Sequence, residues 1–366
     1  MNVYRGRFEN AEDADAGRGV GLGNFDGIHA GHAALIEKLI LECAKRDLRS
    51  MIYTFENHPN HVICKDKPTP LILSEERKIK TLEETGVDEL FLEYFDEEYA
   101  HTAPEEFVKK ILVGRLHAKI VVVGYDYTYG DRGRGTSEEL VAYGEKYGFT
   151  VFVVPPVRRL LPCSGELVTV SSTILRKLIQ EGKMHDFRAL TGRYYTIPGR
   201  VIQGRNVGKT LGFPTANIIP KEGFALPCFG VYATITKAGG KTYRSITNVG
   251  NNPTFQNITA VTIETHIIGF KGDLYGHDIE VEFIKKMRGE IAFPSAEELM
   301  RQLRHDLDER KTMSEGMKKV YEKGGVEIYH IPADKFKTSV VRILLCDNLS
   351  KEHAYQNALI PAILNA

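Results

Sequence analysis

Apolar residues in the first half of the chain form short continuous runs, separated by segments in which they recur with helical period. The runs predict five strands, at residues 20–25, 51–55, 89–94, 120–124 and 150–154. Between the first two runs, apolar positions spaced three and four residues apart predict a helix over residues 33–45. Strands that alternate with helices favour a mostly parallel sheet covered by helices, as in an open α/β fold.

Polar residues predict where three further helices begin. The tetrapeptide TAPE at residues 102–105 has the form of a capping box with proline near the helix start. Thr136 and Glu139 repeat the capping box, and Gly148 is expected to end that helix. Ser171-Ser172-Thr173 is expected to cap a helix that ends near Gly182.

The pattern changes near Thr191, where short runs rich in Gly, Thr, Val and Ile begin. Residues 238–241, with the sequence AGGK, predict a hairpin turn. The strands expected here are residues 231–236, 242–247, 261–268 and 279–284. Ser295 is expected to cap a closing helix that runs to about Asp308, so this part of the chain is interpreted as a compact β domain.

We therefore divide the chain into an α/β domain (residues 1–185), a β domain (residues 186–310) and a tail (residues 311–366). Residues 311–325 are polar and are expected to be helical or a linker, whereas residues 326–331 and 339–345 have strand-like patterns. The roughly forty residues after Gly325 are too few for a stable separate domain.

Composition narrows the class of protein. The 366 residues include 48 Lys+Arg and 48 Asp+Glu, so the formal net charge is zero and the basic surplus usual in nucleic-acid-binding proteins is missing. No apolar run approaches the length of a membrane span, and the first residues lack an apolar signal region. The five cysteines are scattered without CxxC spacing, which predicts reduced thiols and neither a disulfide framework nor a zinc knuckle. We expect a cytoplasmic protein that binds neither nucleic acid nor a membrane.

The first candidate for chemistry is GNFDGIHAGH, residues 23–32, between the first predicted strand and the first helix. Ligands of open α/β sheets bind at such a position, because glycines let the backbone approach a phosphate and the helix N-terminus offers free N–H groups. His29 and His32 are three residues apart, so both imidazoles can face one phosphate and donate hydrogen bonds as it gains charge. The alternative is a glycine-rich turn with two solvent-exposed histidines.

Ser171-Ser172-Thr173, followed by Arg176, forms a second candidate phosphate site. Its hydroxyls and N–H groups could hold phosphate oxygens, and the cation lies one turn further along. An ordinary Ser/Thr cap with a surface arginine is the alternative.

A third motif, Gly208-Lys209-Thr210, invites comparison with a P-loop. The pattern GxxxxGKT needs a glycine at position 203, where the chain has Gln203, and no parallel βαβ unit is predicted to follow. The sequence therefore argues against a P-loop NTPase.

Over about residues 18–182, the first two motifs together resemble the adenylyltransferase half of the bacterial bifunctional riboflavin kinase/FAD synthetases. TFENHP at residues 54–59 and VGYDYTYG at residues 123–130 extend the resemblance. It implies a Rossmann-like nucleotidyltransferase domain that transfers AMP from ATP to FMN with Mg²⁺. Because the FMN phosphate is already anionic, the reaction needs positioning and charge neutralisation more than a base. The implied catalytic residues are His29, His32, Ser172 and Arg176; the implied ATP contacts are Gly23, Asn24, Phe25, Gly31 and Thr173; and the implied flavin contacts are Asn57, His58, Pro59, Asp126 and Tyr127.

Residues 199–217, which end in PTAN, resemble the riboflavin kinase domain of the same family, and the resemblance covers about residues 194–308. It implies a β-barrel in which Gly204, Gly208 and Lys209 contact ATP phosphates, Thr215 and Asn217 hold Mg²⁺, and Arg288 contacts the flavin. Glu264 is the implied base for a ribityl hydroxyl, which is a weak acid. Strict alternation places Thr262, Glu264 and His266 on one strand face, so a solvent-facing polar strip is the alternative.

In the tail, residues 326–329, 334–338 and 355–361 resemble the start of a pitrilysin/insulinase-like peptidase homologue. The metal motif HxxEH of active members does not occur in the chain, so no protease activity is expected. A fused, truncated or misjoined reading frame and a dimerisation appendix both remain open.

The sequence thus predicts a two-site enzyme that phosphorylates riboflavin to FMN and adenylylates FMN to FAD with release of pyrophosphate. Its expected partners are riboflavin, FMN, FAD and ATP. One alternative is an adenylyltransferase for another small substrate, such as nicotinamide mononucleotide or phosphopantetheine, which would have no use for the second domain. Another is a flavin- or nucleotide-binding regulator without catalysis, which would not need His29, His32, Thr215, Asn217 and Glu264 to be intact.

Overall fold

The computed structural model describes residues 1–203, 213–220, 223–252, 260–315, 318–323 and 326–330. The chain forms two compact units, Met1–Ala292 and Phe293–Ala366. Among the described residues, no helix combines the length and the apolar character that crossing a membrane requires.

A six-stranded parallel sheet, in the order β1-β4-β3-β2-β5-β8, organises the N-terminal part of the first unit. Its strands are β1 (Asn2–Arg5), β2 (Arg18–Leu22), β3 (Arg49–Phe55), β4 (Glu89–Glu93), β5 (Ala118–Gly124) and β8 (Thr150–Val154). All five predicted strands are therefore confirmed, with ends that differ by up to three residues. The short edge strand β1 is absent from the sequence prediction, because four residues give too little pattern and its pairing with β4 decides its conformation.

Short strand pairs lie outside this sheet: β6 (Thr128–Tyr129) with β7 (Gly135–Thr136), and β9 (Arg158–Leu160) with β10 (Leu167–Thr169). The helices are α1 (Ala11–Asp15), α2 (Ala30–Ala44), α3 (Asn60–Ile63), α4 (Glu75–Glu83), α5 (Glu97–Ala100), α6 (Pro104–Glu106), α7 (Ser137–Tyr147), α8 (Ser172–Gln180), α9 (Met184–Thr191) and α10 (Ala296–Glu315). A π-helical segment, Phe107–Val113, continues α6, and Asp131–Gly133 forms a 3₁₀ turn.

Side-chain caps explain several helix starts. The capping box of Thr136 and Glu139 is confirmed, and so is the left-handed Gly148 that ends α7. Ser171 caps α8 by accepting a hydrogen bond from the N–H of Ile174. The predicted cap at Thr102 is wrong: Ala103 occupies the cap position, with no side-chain hydrogen bond. The residue before a proline avoids the helical region, so the helix starts at Pro104 and Thr102 lies outside it.

Apolar side chains cover both faces of the parallel sheet. Along β5, Ile120 and Val122 join a core with α2 on one face, whereas Val121 and Val123 join a core with Phe107 on the other. Such two-sided burial is typical of parallel sheets and explains why their strands have nearly continuous apolar sequences.

The second half of the first unit is a closed antiparallel barrel, in the order β11-β12-β15-β14-β13-β16. Its strands are β11 (Tyr195–Ile202), β12 (Ala216–Pro220), β13 (Gly230–Ala238), β14 (Lys241–Asn252), β15 (Ala260–Ile267) and β16 (Asp278–Arg288). The predicted hairpin turn joins β13 to β14 and is confirmed. Because β11 pairs antiparallel with both neighbours, the strand before the Gly-Lys-Thr motif does not belong to a parallel βαβ unit.

In the second unit, the N–H of Glu298 donates to Ser295 Oγ at 3.2 Å, as expected of a cap on α10. The strands β17 (Lys318–Lys323) and β18 (Val326–His330) follow and pair antiparallel. The expectation of a helix or linker across residues 311–325 is thus wrong for residues 318–323, where pairing with β18 overrides the polar local pattern. The strand predicted at residues 339–345 lies outside the described residues.

Candidate active sites

The three N-terminal motifs meet at one edge of the parallel sheet. They follow β2, β3 and β5, and β2 lies between the other two strands. Chain connections run away from this point on both sides, so the motifs surround the crevice at the switch point where open α/β sheets bind ligands. Strand order therefore brings residues 23–32, 56–59 and 125–130 together.

His29 and His32 begin helix α2. His29 is the N-cap, and its Nδ1 accepts a hydrogen bond from the N–H of His32 at 3.3 Å. The two imidazole rings stack with centroids 3.8 Å apart and an interplanar angle of 9°. The predicted pair therefore acts as one aromatic surface at the helix N-terminus.

Burial keeps both imidazoles neutral. It lowers the pKa of His29 to about 4, with a smaller contribution from the positive charge of Arg193. Burial also lowers the pKa of His32 well below its usual value, followed by the effects of His29 and Lys78. The Nδ1 of His32 is buried and lacks a hydrogen-bond partner among the described residues, which leaves a polar atom available at the site.

Backbone strain shapes the loop that leads to these histidines. Phe25 (φ 47°), Gly27 (φ 88°) and Ile28 (φ 34°) all adopt left-handed conformations, and the Phe25 and Ile28 side chains are buried. A Cβ atom at Gly27 would lie 2.7 Å from Leu175 Cδ1 on α8. The surrounding core therefore holds a conformation that costs free energy by itself, as is common at binding sites.

Asp26 links the glycine-rich motif at residues 23–32 to the segment that contains Ser172 and Arg176. Its Oδ1 accepts hydrogen bonds from the N–H groups of Ile72 (3.0 Å) and Leu73 (3.3 Å), and its Oδ2 pairs with the Arg176 guanidinium at 2.5 Å. Ser172 Oγ donates to the carbonyl oxygen of Asp26 at 2.6 Å. Burial raises the pKa of Asp26, and the charge of Arg176 opposes that shift. The predicted Ser172 and Arg176 are therefore fixed against the glycine-rich loop, although they lie about 146 residues away in the chain.

A cavity of about 490 Å³ opens where the two motifs meet. It is lined by Asn24, Asp26, His58, Asn60, Thr69, Ser172, Thr173, Arg176, Lys177 and Gln180. All ten lining residues have polar side chains, and the two cations, Arg176 and Lys177, outnumber the single carboxylate of Asp26, which suits an anionic ligand.

The predicted flavin contacts differ in their surroundings. Both amide atoms of Asn57 hydrogen-bond to the backbone of Phe95, at 2.7 Å and 2.9 Å, so this side chain joins the loops after β3 and β4. His58 and Pro59 line a smaller cavity of about 40 Å³ beside Asn57. Asp126 is exposed, and the half-buried Tyr127 stacks on Tyr129 with ring centroids 5.9 Å apart.

On the barrel, five residues from five strands share one row of the β-ladder. Asn217 pairs with Glu264, Glu264 with Asn248, Asn248 with Val231, and Val231 with Arg288. Directly paired residues point to the same side of a sheet, and Ile263 and Thr265 point into the interior, so this row lies on the outer face. The structure thus aligns the predicted metal ligand, base and flavin contact.

Thr215 and Asn217 are half-buried on either side of Ala216, the first residue of β12, and Asn217 pairs directly with Glu264. Hydroxyl and amide oxygens next to a carboxylate are the hard donors that Mg²⁺ prefers, so these residues fit the ion. His266 Nδ1 lies 2.8 Å from the carbonyl oxygen of Pro214 and packs edge-on against Phe213, which holds the PTAN segment against β15. The predicted phosphate contacts Gly204, Gly208 and Lys209 lie outside the described residues.

Three residues near the candidate sites are not predicted from the sequence. Asp26 lies within the motif at residues 23–32, but only its contact with Arg176 indicates what it does. Arg193 donates to the carbonyl oxygens of Gly27 (2.9 Å) and Ile28 (3.0 Å) from the start of the barrel domain. Asn248 could have been found, because an asparagine within a strand-like segment is unusual.

The open α/β domain has a polar crevice suited to phosphate groups, and the closed barrel carries Asn217, Glu264 and Asn248 side by side on its outer face. Together these features define a two-domain transferase that uses nucleotides. The model of the FAD synthetase family matches residues 11–172, and that of the riboflavin kinase family matches residues 191–314. The chain belongs to the bifunctional riboflavin kinase/FMN adenylyltransferase family. The prediction of a two-domain enzyme of flavin cofactor biosynthesis is therefore confirmed.

Proteins named as members of this family are similar to most of the chain. The bifunctional riboflavin kinase/FMN adenylyltransferase of Listeria monocytogenes is 33% identical over 296 residues, which are 81% of this chain and 92% of the relative. The Escherichia coli enzyme of the same name is 33% identical over 307 residues, 84% of this chain and 96% of the relative. A solved structure from Streptococcus pneumoniae, described as a macrolide-efflux protein, has a TM-score of 0.74 and 29% identity and covers 85% of this chain and 99% of its own.

Neither family model extends beyond residue 314. The resemblance of the tail to a peptidase homologue therefore stays a prediction.

Proposed function

We propose that the chain converts riboflavin to FMN on the barrel and FMN to FAD at the crevice of the parallel sheet, with ATP as the donor in both reactions. The observation that carries the proposal is the presence of two separate polar sites. One is closed by the Asp26–Arg176 contact, and the other is the Asn217–Glu264–Asn248 row. We also infer a cytoplasmic location, in agreement with the free cysteines Cys43, Cys64, Cys163 and Cys228.

For adenylylation, an oxygen of the FMN phosphate attacks the α-phosphorus of ATP, and pyrophosphate leaves. The N–H groups of the loop around Gly23, Asn24, Phe25 and Gly31 bind phosphate oxygens. Neutral His29 and His32 stabilise the charge that develops on the α-phosphate by hydrogen bonds. Ser172 and Thr173 position phosphate oxygens at the start of α8, and Arg176 supplies positive charge.

The flavin of FMN is assigned to the neighbouring loops. In this proposal Asn57, His58 and Pro59 form one side of its pocket, and Asp126 and Tyr127 form the other. Asn57 acts mainly by holding its loop, because its amide is already bound to Phe95.

For phosphorylation, Glu264 accepts the proton of the ribityl hydroxyl as the hydroxyl oxygen attacks the γ-phosphorus of ATP, and ADP leaves with the bridging β-phosphate oxygen. Thr215 and Asn217 would hold Mg²⁺, which when bound neutralises phosphate charge. Gly204, Gly208 and Lys209 are assigned to the ATP phosphates, and Arg288 to the flavin. The adjacent positions of Asn217 and Glu264 support a base next to the metal-bound phosphates.

Two variants test the separation of the sites. His32→Ala is expected to lower FAD formation from supplied FMN by about a hundredfold or more and to leave FMN formation from riboflavin unchanged. Glu264→Gln keeps the shape of the side chain but removes the base, so FMN formation should fall by about 10²- to 10⁴-fold while FAD formation persists. Products are separated by chromatography after incubation with ATP and Mg²⁺, and His101→Ala, at an exposed histidine, is the control.

A parallel loss of both activities in both variants would contradict the two-site assignment. If the unaltered chain bound flavin but formed no product, the alternative of a flavin-binding regulator without catalysis would be supported instead.

A further inference from the structure

The turn between β9 and β10 approaches the first turn of α9 and brings three potential metal ligands together. Cys163 lies in the turn, and His185 and Asp186 belong to α9. The Cys163 sulfur is 3.9 Å from His185 Nδ1. One ligand atom from each of the three side chains lies within 4.8 Å of the other two. The 22 residues between the sulfur and the imidazole in the chain hide this cluster from any spacing motif.

The carboxylate of Asp186 is a second, independent observation that points to a cation. Asp186 is fully buried, and its Oδ1 accepts a hydrogen bond from the N–H of Cys163 at 2.8 Å. Its Oδ2 is also buried but has no hydrogen-bond partner among the described residues. An unpaired carboxylate oxygen in this position is costly, and a cation beside it would remove the cost.

We propose that Cys163, His185 and Asp186 bind a zinc-type divalent cation. Thiolate, imidazole and carboxylate are all zinc ligands, and the sulfur excludes a site designed for Mg²⁺. Zinc bonds of about 2.3 Å to sulfur and 2.0–2.1 Å to nitrogen, at a tetrahedral angle, place the two atoms about 3.6 Å apart, close to the distance found here. Cys163 and His185 are exposed, so an ion can enter and a water molecule can complete the coordination.

The ion would act as a structural clamp. It would join the β9–β10 turn to α9, the last helix before the first barrel strand, β11. Burial, the hydrogen bond between the thiol and the Asp186 carboxylate, and the negative charge of Asp186 all raise the pKa of Cys163. Binding therefore replaces the thiol proton, and affinity is expected to increase with pH.

Cobalt(II) provides a direct test, because a cobalt–thiolate bond has a characteristic charge-transfer absorption in the near ultraviolet. The full-length chain is treated with a chelator, dialysed and titrated with Co²⁺. We expect this absorption to appear with one equivalent, to disappear when Zn²⁺ is added, and to be absent from Cys163→Ser. Cys64→Ser, which removes another exposed cysteine, should behave like the unaltered chain.

Alkylation provides a second readout that does not depend on cobalt. Stoichiometric Zn²⁺ should slow alkylation of Cys163 at least tenfold, while Cys64 continues to react at its own rate. His185→Gln, at an exposed position, should abolish this protection, whereas a buried-site variant such as Asp186→Asn could fail for lack of folding. The proposal is overturned if Co²⁺ gives no thiolate absorption, if Cys163→Ser retains it, or if Zn²⁺ leaves the alkylation rate of Cys163 unchanged.

Discussion

At the residue scale, the stacked imidazoles of His29 and His32 are kept neutral by burial rather than by a charged partner. His29 has only 7% of its surface exposed, and Arg193 adds a repulsive positive charge. A neutral imidazole at a helix N-terminus can donate and accept hydrogen bonds without adding charge to the site. The same burial makes the stability of the chain depend on pH.

Stability is expected to fall in mild acid because of His29. Its pKa is about 4 in the folded chain and 6.5 without the fold, so between these values only the unfolded chain binds the proton. Because of His29, the free energy of unfolding is expected to be about 2 kcal/mol lower at pH 5 than at pH 7. His29→Asn keeps an acceptor for the His32 N–H but removes the titrating group, so urea midpoints should show a smaller acid loss than in the unaltered chain. His305→Asn, at an exposed histidine of α10, is the control, and equal acid losses in all three proteins would refute the assignment.

At the element scale, alternation along the barrel strands places the polar residues of the candidate site on the outer face and a set of hydroxyl side chains on the inner face. The outer face of β15 carries Glu264, whereas its inner face carries Thr265. Inside, hydroxyl groups of β13, β14 and β15 form a hydrogen-bonded chain in which Thr247 Oγ1 lies 2.8 Å from Thr234 Oγ1 and 2.9 Å from Thr265 Oγ1. The strands that carry Asn217, Asn248 and Glu264 are thus joined by buried polar contacts as well as by the backbone ladder.

Thr247→Val tests this chain of hydroxyls. Valine has the same shape but removes one hydrogen-bond partner from each of Thr234 and Thr265, which should cost about 1–3 kcal/mol. Hydrogen exchange of the β14 amides should show a matching loss of local stability. The exposed Thr242→Val on the same strand should change it by less than about 0.5 kcal/mol. Similar effects of the two substitutions would show that the interior hydroxyls do not stabilise the barrel.

At the scale of the first unit, the α/β domain and the barrel are joined by backbone and side-chain contacts. The N–H of Leu71 donates to the Gly223 carbonyl at 2.6 Å, and the N–H of Ala225 donates to the Leu71 carbonyl at 2.9 Å. Arg77 on α4 forms an ion pair with Glu280 on β16 at 2.7 Å. Arg193 completes the connection by donating to the strained loop that holds the histidines.

Arg193→Gln should therefore act across the domain boundary. The loss of its contacts with the Gly27 and Ile28 carbonyls is expected to loosen the loop that leads to His29 and His32 and to lower FAD formation by about ten- to a hundredfold. FMN formation should be unchanged, because Arg193 is not part of the barrel row. Arg188→Gln removes an exposed arginine from α9 and serves as the matched control in the same product assay. Unchanged FAD formation in Arg193→Gln would show that the loop keeps its shape without this support.

Local sequence was a good guide where one element decides its own conformation. The Thr136–Glu139 capping box and the turn between β13 and β14 depend on neighbouring residues and were predicted correctly. The cap at Thr102 failed because the rule for residues before proline outweighs a capping pattern. The strand at residues 318–323 was not predicted, because pairing with β18, rather than the local composition, determines its conformation.

Residue types and short spacings are enough to predict the two-domain class, the strand–loop–helix setting of His29 and His32, and the motifs of the two candidate sites. Other features depend on contacts between distant parts of the chain: Asp26 holds Arg176, Arg193 supports the histidine loop, and Asn217, Glu264 and Arg288 share one row. The proximity of Cys163 to His185 and Asp186 is of the same kind. Such contacts join residues far apart in the chain, and they form because burial and strand register set distances that sequence spacing does not contain.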